Sequence, residues 1–164
     1  TYLLMPWLSH HALALHAGAG ASGGSFPGSG AFYVGGFVDA PVVDTIRYVA
    51  MQGGILLRGY EPVALTGRYY SLFNAEYRFP IANVDRGLST LPGFLNRING
   101  TVFVDYGSAF DSTKDAQFKT GVGAEVSFEM TLGYIVPFIF RLGFASGLAS
   151  GGRDKGYFVA AVPY

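Results

Sequence analysis

The sequence predicts an all-β fold: an antiparallel barrel that crosses a membrane with its strands and folds one long loop into its lumen. Three observations predict it. Half of the 164 residues are apolar and 16% are aromatic, while 13% are charged, against roughly 25% in soluble domains, so few charges remain to cover a surface in water. The longest apolar run, 132–142, contains Pro137 and Arg141 and falls short of the roughly 20 residues a membrane helix needs, whereas strands of about 9–11 residues suffice. Finally, the alternating segments carry apolar and aromatic residues on one face, and glycine with a few charges on the other.

The first strand is expected over Ser9 to Ser22, where Leu13, Leu15, Ala17, Ala19 and Ala21 alternate with His10, Ala12, Ala14, His16, Gly18 and Gly20. From Gly23 to Gly36, glycine, serine and proline mark a loop that includes 25–30 and runs into Phe32-Tyr33-Val34-Gly35-Gly36. Asp44 to Gln52 reads as a short helix capped by Asp44. The clearest alternation is the second strand, Gly67 to Phe79, with Tyr69, Phe73, Ala75, Tyr77 and Phe79 opposite Arg68, Tyr70, Asn74, Glu76 and Arg78. After a polar, proline-bearing connection, Asn99-Gly100 is expected to turn the chain. The third strand, Thr101 to Phe110, then puts Val102, Val104 and Tyr106 outward and Phe103, Asp105 and Gly107 inward. A fourth runs from Phe118 to Met130, a fifth from Tyr134 to Ser146 after the tight connection Leu132-Gly133, and a sixth from Gly156 to Tyr164.

This face sorting admits two architectures. In a soluble sandwich the aromatic face would be core; in a membrane barrel it meets lipid and the charged face lines the lumen. Connections that alternate between short and long, and a charged face rich in glycine, favour the barrel. Zero formal net charge, from eleven basic and eleven acidic residues, argues against nucleic acid as a partner. The chain has no cysteine, no initiator methionine and no secretory-type leader, and is expected to be a processed or truncated portion of something longer.

Several motif matches lead nowhere. Gly20-Ala21-Ser22-Gly23-Gly24 fits a nucleophile elbow, but Phe26-Pro27-Gly28 cannot begin the helix it needs. Gly18, Gly20 and Gly23 match a dinucleotide fingerprint that requires the same missing helix. His10 and His11 point to opposite faces of a strand, and His10 and His16 are too far apart to hold one ion by themselves, so no metal or other cofactor is expected. Asn99-Gly100-Thr101 fits a glycosylation acceptor, but the hairpin turn explains it better. Arg58 differs in kind. It lies between apolar residues and a glycine, in Leu57-Arg58-Gly59-Tyr60, and a guanidinium drawn out of water keeps its charge and needs carboxylates. Glu76 and Asp105, on the charged faces of the second and third strands, would supply them. Spacing alone leaves open a loop arginine in solvent, unrelated to either acid.

Leu57-Arg58-Gly59-Tyr60 resembles the Val/Leu-Arg-Gly-Phe/Tyr loop motif of the BamA/TamA superfamily of outer-membrane assembly and translocation barrels. The segment 32–36 resembles that family's loop entry. Asn74-Ala75-Glu76-Tyr77-Arg78-Phe79-Pro80 is similar to the Glu-bearing strand after the loop, and Phe103-Val104-Asp105-Tyr106-Gly107 to the family's Phe-x-Asp-x-Gly strand motif. Phe158, Ala160, Val162 and Tyr164 resemble the C-terminal β-signal. The likeness extends from about Ser9 to Tyr164 in family order. It implies that Arg58 sits at the tip of an extracellular loop, about 23–66, folded into the lumen and locked to Glu76 and Asp105, with Phe103 and Gly107 packing beside it. It departs from the family in the twenty residues Phe37 to Leu56 before the motif, in Tyr164 where Phe or Trp is commoner, and in showing six strands where family barrels have about sixteen. The chain is therefore expected to be the C-terminal part of a barrel in the bacterial outer membrane, completed by missing N-terminal strands or other chains. The resemblance implies a non-enzymatic role, assisting insertion of outer-membrane proteins or translocation of polypeptide, with the lipid bilayer and a nascent outer-membrane or secreted polypeptide as partners. Pro163, which cannot donate a ladder hydrogen bond, suits a weakly paired seam. The alternatives are a barrel that anchors a soluble domain and a soluble, lipocalin-like or sandwich protein.

Overall fold

A computed structural model describes residues 2–4, 8–23, 31–37, 56–87, 92–133 and 135–161. The described residues form nine strands: β1 (Tyr2–Leu4), β2 (Ala12–Ala21), β3 (Phe32–Val34), β4 (Leu65–Gly67), β5 (Tyr69–Gly87), β6 (Gly93–Phe110), β7 (Lys119–Leu132), β8 (Val136–Gly147) and β9 (Asp154–Ala161). Seven of them make one antiparallel sheet in the order β1-β2-β5-β6-β7-β8-β9, with β1 and β9 at its edges, while β3 and β4 pair as a separate ribbon. Among the described residues no helix is long and apolar enough to cross a membrane. The expected helix 44–52, the loop residues 25–30 and the terminal Val162 and Tyr164 lie outside the described residues.

The period-two pattern sorts the sheet as the alternation implies. On β6, Val102, Val104 and Tyr106 are 44–46% exposed, whereas Phe103 is at 3% and Asp105 at 0%. Phe73, Leu142, Phe144 and Phe158 are likewise exposed. The other face buries polar groups of the strands, Asn74, Thr101, Asp105, Lys119 and Glu125, together with Arg58 of the loop. This inverts the usual soluble arrangement, in which ionisable groups are almost never fully buried and large apolar patches are covered. One small apolar cluster does form, from Val34, Leu57, Tyr60, Leu72 and Ala109, where residues of the loop press onto β5 and β6.

Four expectations are corrected. The main sheet has seven strands where six were read, because β1, only three residues long, is too short to show a period. The central strands are longer than expected, β5 with 19 residues and β6 with 18. Pro80 does not end β5, because the ladder passes it through register shifts between Pro80 and Ala82 and between Asn83 and Arg86, the irregularity by which a strand tolerates proline. Asn99-Gly100 is not a turn: both residues lie within β6, Asn99 opposite Pro80 and Gly100 opposite Phe79. A Cβ at position 100 would run into the Phe79 ring, so the glycine serves a close cross-strand approach. Finally, Phe32–Val34 and 65–66, read as loop, and Gly67, read as the start of the second strand, pair as the β3–β4 ribbon.

Candidate functional site

The ribbon delivers Arg58 to the polar face of the sheet. After β3, Gly35 and Gly36 lie against the returning chain, with Leu57 N donating to Gly35 O at 2.9 Å and Gly36 N to Glu61 O at 3.0 Å. This holds Leu56 to Glu61 as a tight bend whose Gly59 has φ +87°, a left-handed conformation that a side chain resists. The bend can descend onto the sheet because β7 presents Gly121 beneath it: a Cβ there would overlap the Arg58 carbonyl oxygen.

Arg58 and Asp105 meet as a fork. Nε donates to Oδ2 at 2.8 Å and Nη2 to Oδ1 at 2.7 Å, while the Arg58 backbone N–H adds a third bond to Oδ2 at 3.0 Å. Nη2 also lies 2.9 Å from Glu76 Oε1. The Phe103 ring sits under the guanidinium, with its centroid 3.5 Å from Cζ, adding a cation–π contact. Burial by itself would favour loss of the Arg58 proton, but the hydrogen bond and charge of Asp105, then the charge of Glu76, outweigh it and hold the group protonated well above its ordinary range.

Sequence reasoning missed two members of the network. Asn74 Nδ2 donates to Leu56 O at 2.9 Å and to Asp105 Oδ1 at 2.7 Å, tying loop backbone and acid together. Arg78 binds the far oxygen of Glu76, Nη2 to Oε2 at 2.6 Å and Nε at 3.1 Å. Their signal was available: Asn74, Glu76 and Arg78 are spaced by two and share a face. Farther along the polar face, Tyr157 donates to Glu125 Oε2 at 3.0 Å, with Arg141 Nε 3.7 Å from Oε1. A cavity of about 200 Å³ is bordered by Arg78, Arg141, Glu125, Glu129, Asn99 and His10, among others.

Of the other residues read from the sequence, Leu57 and Tyr60 are fully buried beside Arg58 in the chain. At Gly107 a Cβ would meet the Leu72 side chain, so its smallness accommodates Leu72. Phe158 faces outward with its ring centroid 5.6 Å from that of Phe140, and Ala160 pairs with Phe140 in the ladder. The histidines do not converge: His10 and His16 are exposed, and His11 Nδ1 lies 2.7 Å from the Tyr77 hydroxyl. Among the described residues no group of three or more His, Asp or Glu side chains is placed to hold a metal ion. Ser22 donates its backbone N–H to Arg68 O at 2.8 Å, extending the strand end rather than turning an elbow.

Two carboxylates from adjacent strands and one guanidinium from a loop immobilise one another, and the energy of the pair is spent on fixing the loop. Comparison of the chain with protein-family models, with curated proteins and with solved structures finds no match.

Proposed function

We propose that this chain is part of a β-barrel of the BamA/TamA type in the bacterial outer membrane, and that it assists insertion of outer-membrane proteins or translocation of polypeptide without covalent chemistry. One observation carries the proposal: a loop arginine is buried on the polar face of an antiparallel sheet, shared between Asp105 and Glu76, while the opposite face exposes Phe73, Val102, Val104, Tyr106, Leu142 and Phe144. Charges inward and apolar side chains outward suit a sheet whose outer solvent is hydrocarbon. The two edge strands would be costly in lipid, which is why the proposal includes further strands, from the same polypeptide or from other chains, to close the barrel.

In such a barrel the Arg58 lock holds the loop inside and keeps the wall in its working shape. Reconstitution tests this. The polypeptide containing this chain, in lipid vesicles, is expected to speed the folding of a small outer-membrane barrel from urea, and Arg58→Ala is expected to remove most of that acceleration. A protein that enters vesicles normally and accelerates nothing would be an anchor instead. One that stays in solution without detergent would overturn the membrane assignment.

A further inference from the structure

The loop that carries Arg58 makes a second set of contacts, directed away from Asp105 and Glu76. Gly59 O accepts from Arg153 N at 2.9 Å. The Tyr60 hydroxyl accepts from Ala149 N at 3.0 Å and donates to Thr120 O at 2.8 Å. Glu61 Oε1 meets Arg153 Nη1 at 2.8 Å and Lys155 Nζ at 3.4 Å. Three consecutive residues thus each hold the connection between β8 and β9 or the start of β9. From β7, Lys119 reaches the same connection, donating from Nζ to Ser150 O at 2.7 Å, with that nitrogen 5.2 Å from the Tyr60 ring centroid. The approach is close: a Cβ on Gly147 would overlap Gly59 O.

These contacts matter because of where they land. β9 has eight residues, pairs with β8 and lies at the edge of the sheet. Short edge elements open first, since few contacts hold them. We infer that Gly59, Tyr60 and Glu61 form a clasp on the β8–β9 turn, so that the loop tip sets the position of the edge strand β9 separately from the ion pair that fastens the same loop to β5 and β6. The Tyr60 hydroxyl is the specific part. A phenylalanine would fill the same space but leave the Ala149 N–H without its acceptor, and an orphaned donor costs more than the bond it made. Tyr60 is thus a positioning residue for β9, independent of what the barrel transports or inserts.

The test is amide hydrogen exchange, read by mass spectrometry on the full chain in detergent micelles. In Tyr60→Phe, peptides covering 148–161 should exchange about fivefold faster, the consequence of one lost hydrogen bond, while those from β5 and β6 keep their wild-type rates. Glu61→Gln, a change at a partly exposed side chain, should speed the same peptides about twofold. Unchanged exchange over 148–161 in both variants would overturn the clasp. So would a uniform rise over all strands in Tyr60→Phe, which would mark Tyr60 as packing alone. Should Tyr60→Phe fail to fold, Glu61→Gln decides: faster exchange confined to 148–161 supports the clasp, and no change sinks it.

Discussion

Asp105 carries the site more than Glu76 does, although both pair with Arg58. Asp105 is wholly buried and accepts from Arg58 N, Nε and Nη2 and from Asn74 Nδ2. Glu76 is partly exposed and shared with Arg78. Removing one partner of a buried pair leaves a charge uncompensated, at about 3–5 kcal/mol. Asp105→Ala is therefore expected to lower stability by about that much in a denaturant titration in micelles, and Glu76→Ala by about 1–2 kcal/mol. The double variant Arg58→Ala with Asp105→Ala should cost clearly less than the sum of the single changes; full additivity would mean that the two residues do not interact. Arg58→Lys keeps the charge but cannot donate as a fork, so it should fall closer to Arg58→Ala than to wild type.

At the level of elements, the loop is held as much by what β7 lacks as by what β5 and β6 supply. Because a side chain at position 121 would strike the Arg58 carbonyl, Gly121→Ala should lift the bend off the sheet while the strands stay paired. Limited trypsin digestion in micelles reads this directly. The bond after Arg58 is protected by burial in wild type and should be cut much faster in Gly121→Ala, with the β5–β6 pair intact; equal cutting rates would show that the loop is seated by its side chains alone. The same logic explains the misread dipeptide at 99–100. Glycine after asparagine signals a turn when the local chain decides, but here the Phe79 ring across the ladder decides, and Asn99 is occupied by Glu129 Oε1 at 2.8 Å.

For the whole molecule, the question is which solvent each face meets. The chain contains no cysteine, so single-cysteine variants can carry a nitroxide without background. In lipid vesicles, labels at Val104→Cys and Phe144→Cys are expected to collide more with oxygen, which concentrates in hydrocarbon, than with a water-soluble nickel chelate. A label at Ser127→Cys, which borders the polar cavity, should show the reverse. The same collision ratio on both faces would remove the membrane orientation, and with it the reason for so many exposed aromatics.

The sequence by itself determined the strand character and the two-faced sorting, because a period of two is a local property that survives in one dimension. Arg58, Glu76 and Asp105 were legible as candidates, since an arginine drawn out of water needs acids and both acids fall on charged strand faces; spacing alone left open an arginine in solvent, and the structure decided for the pairing. What the tertiary structure alone decided depends on residues far apart in the chain. It decided the passage of β5 beyond Pro80, the placing of Gly100 under a ring and of Gly121 under a loop, and the recruitment of Asn74 and Arg78. It also decided the grip of Tyr60 on a turn some ninety residues later. Register across a ladder sets the first of these and the seating of the loop on the sheet sets the last, and both are relations between segments that no single segment contains.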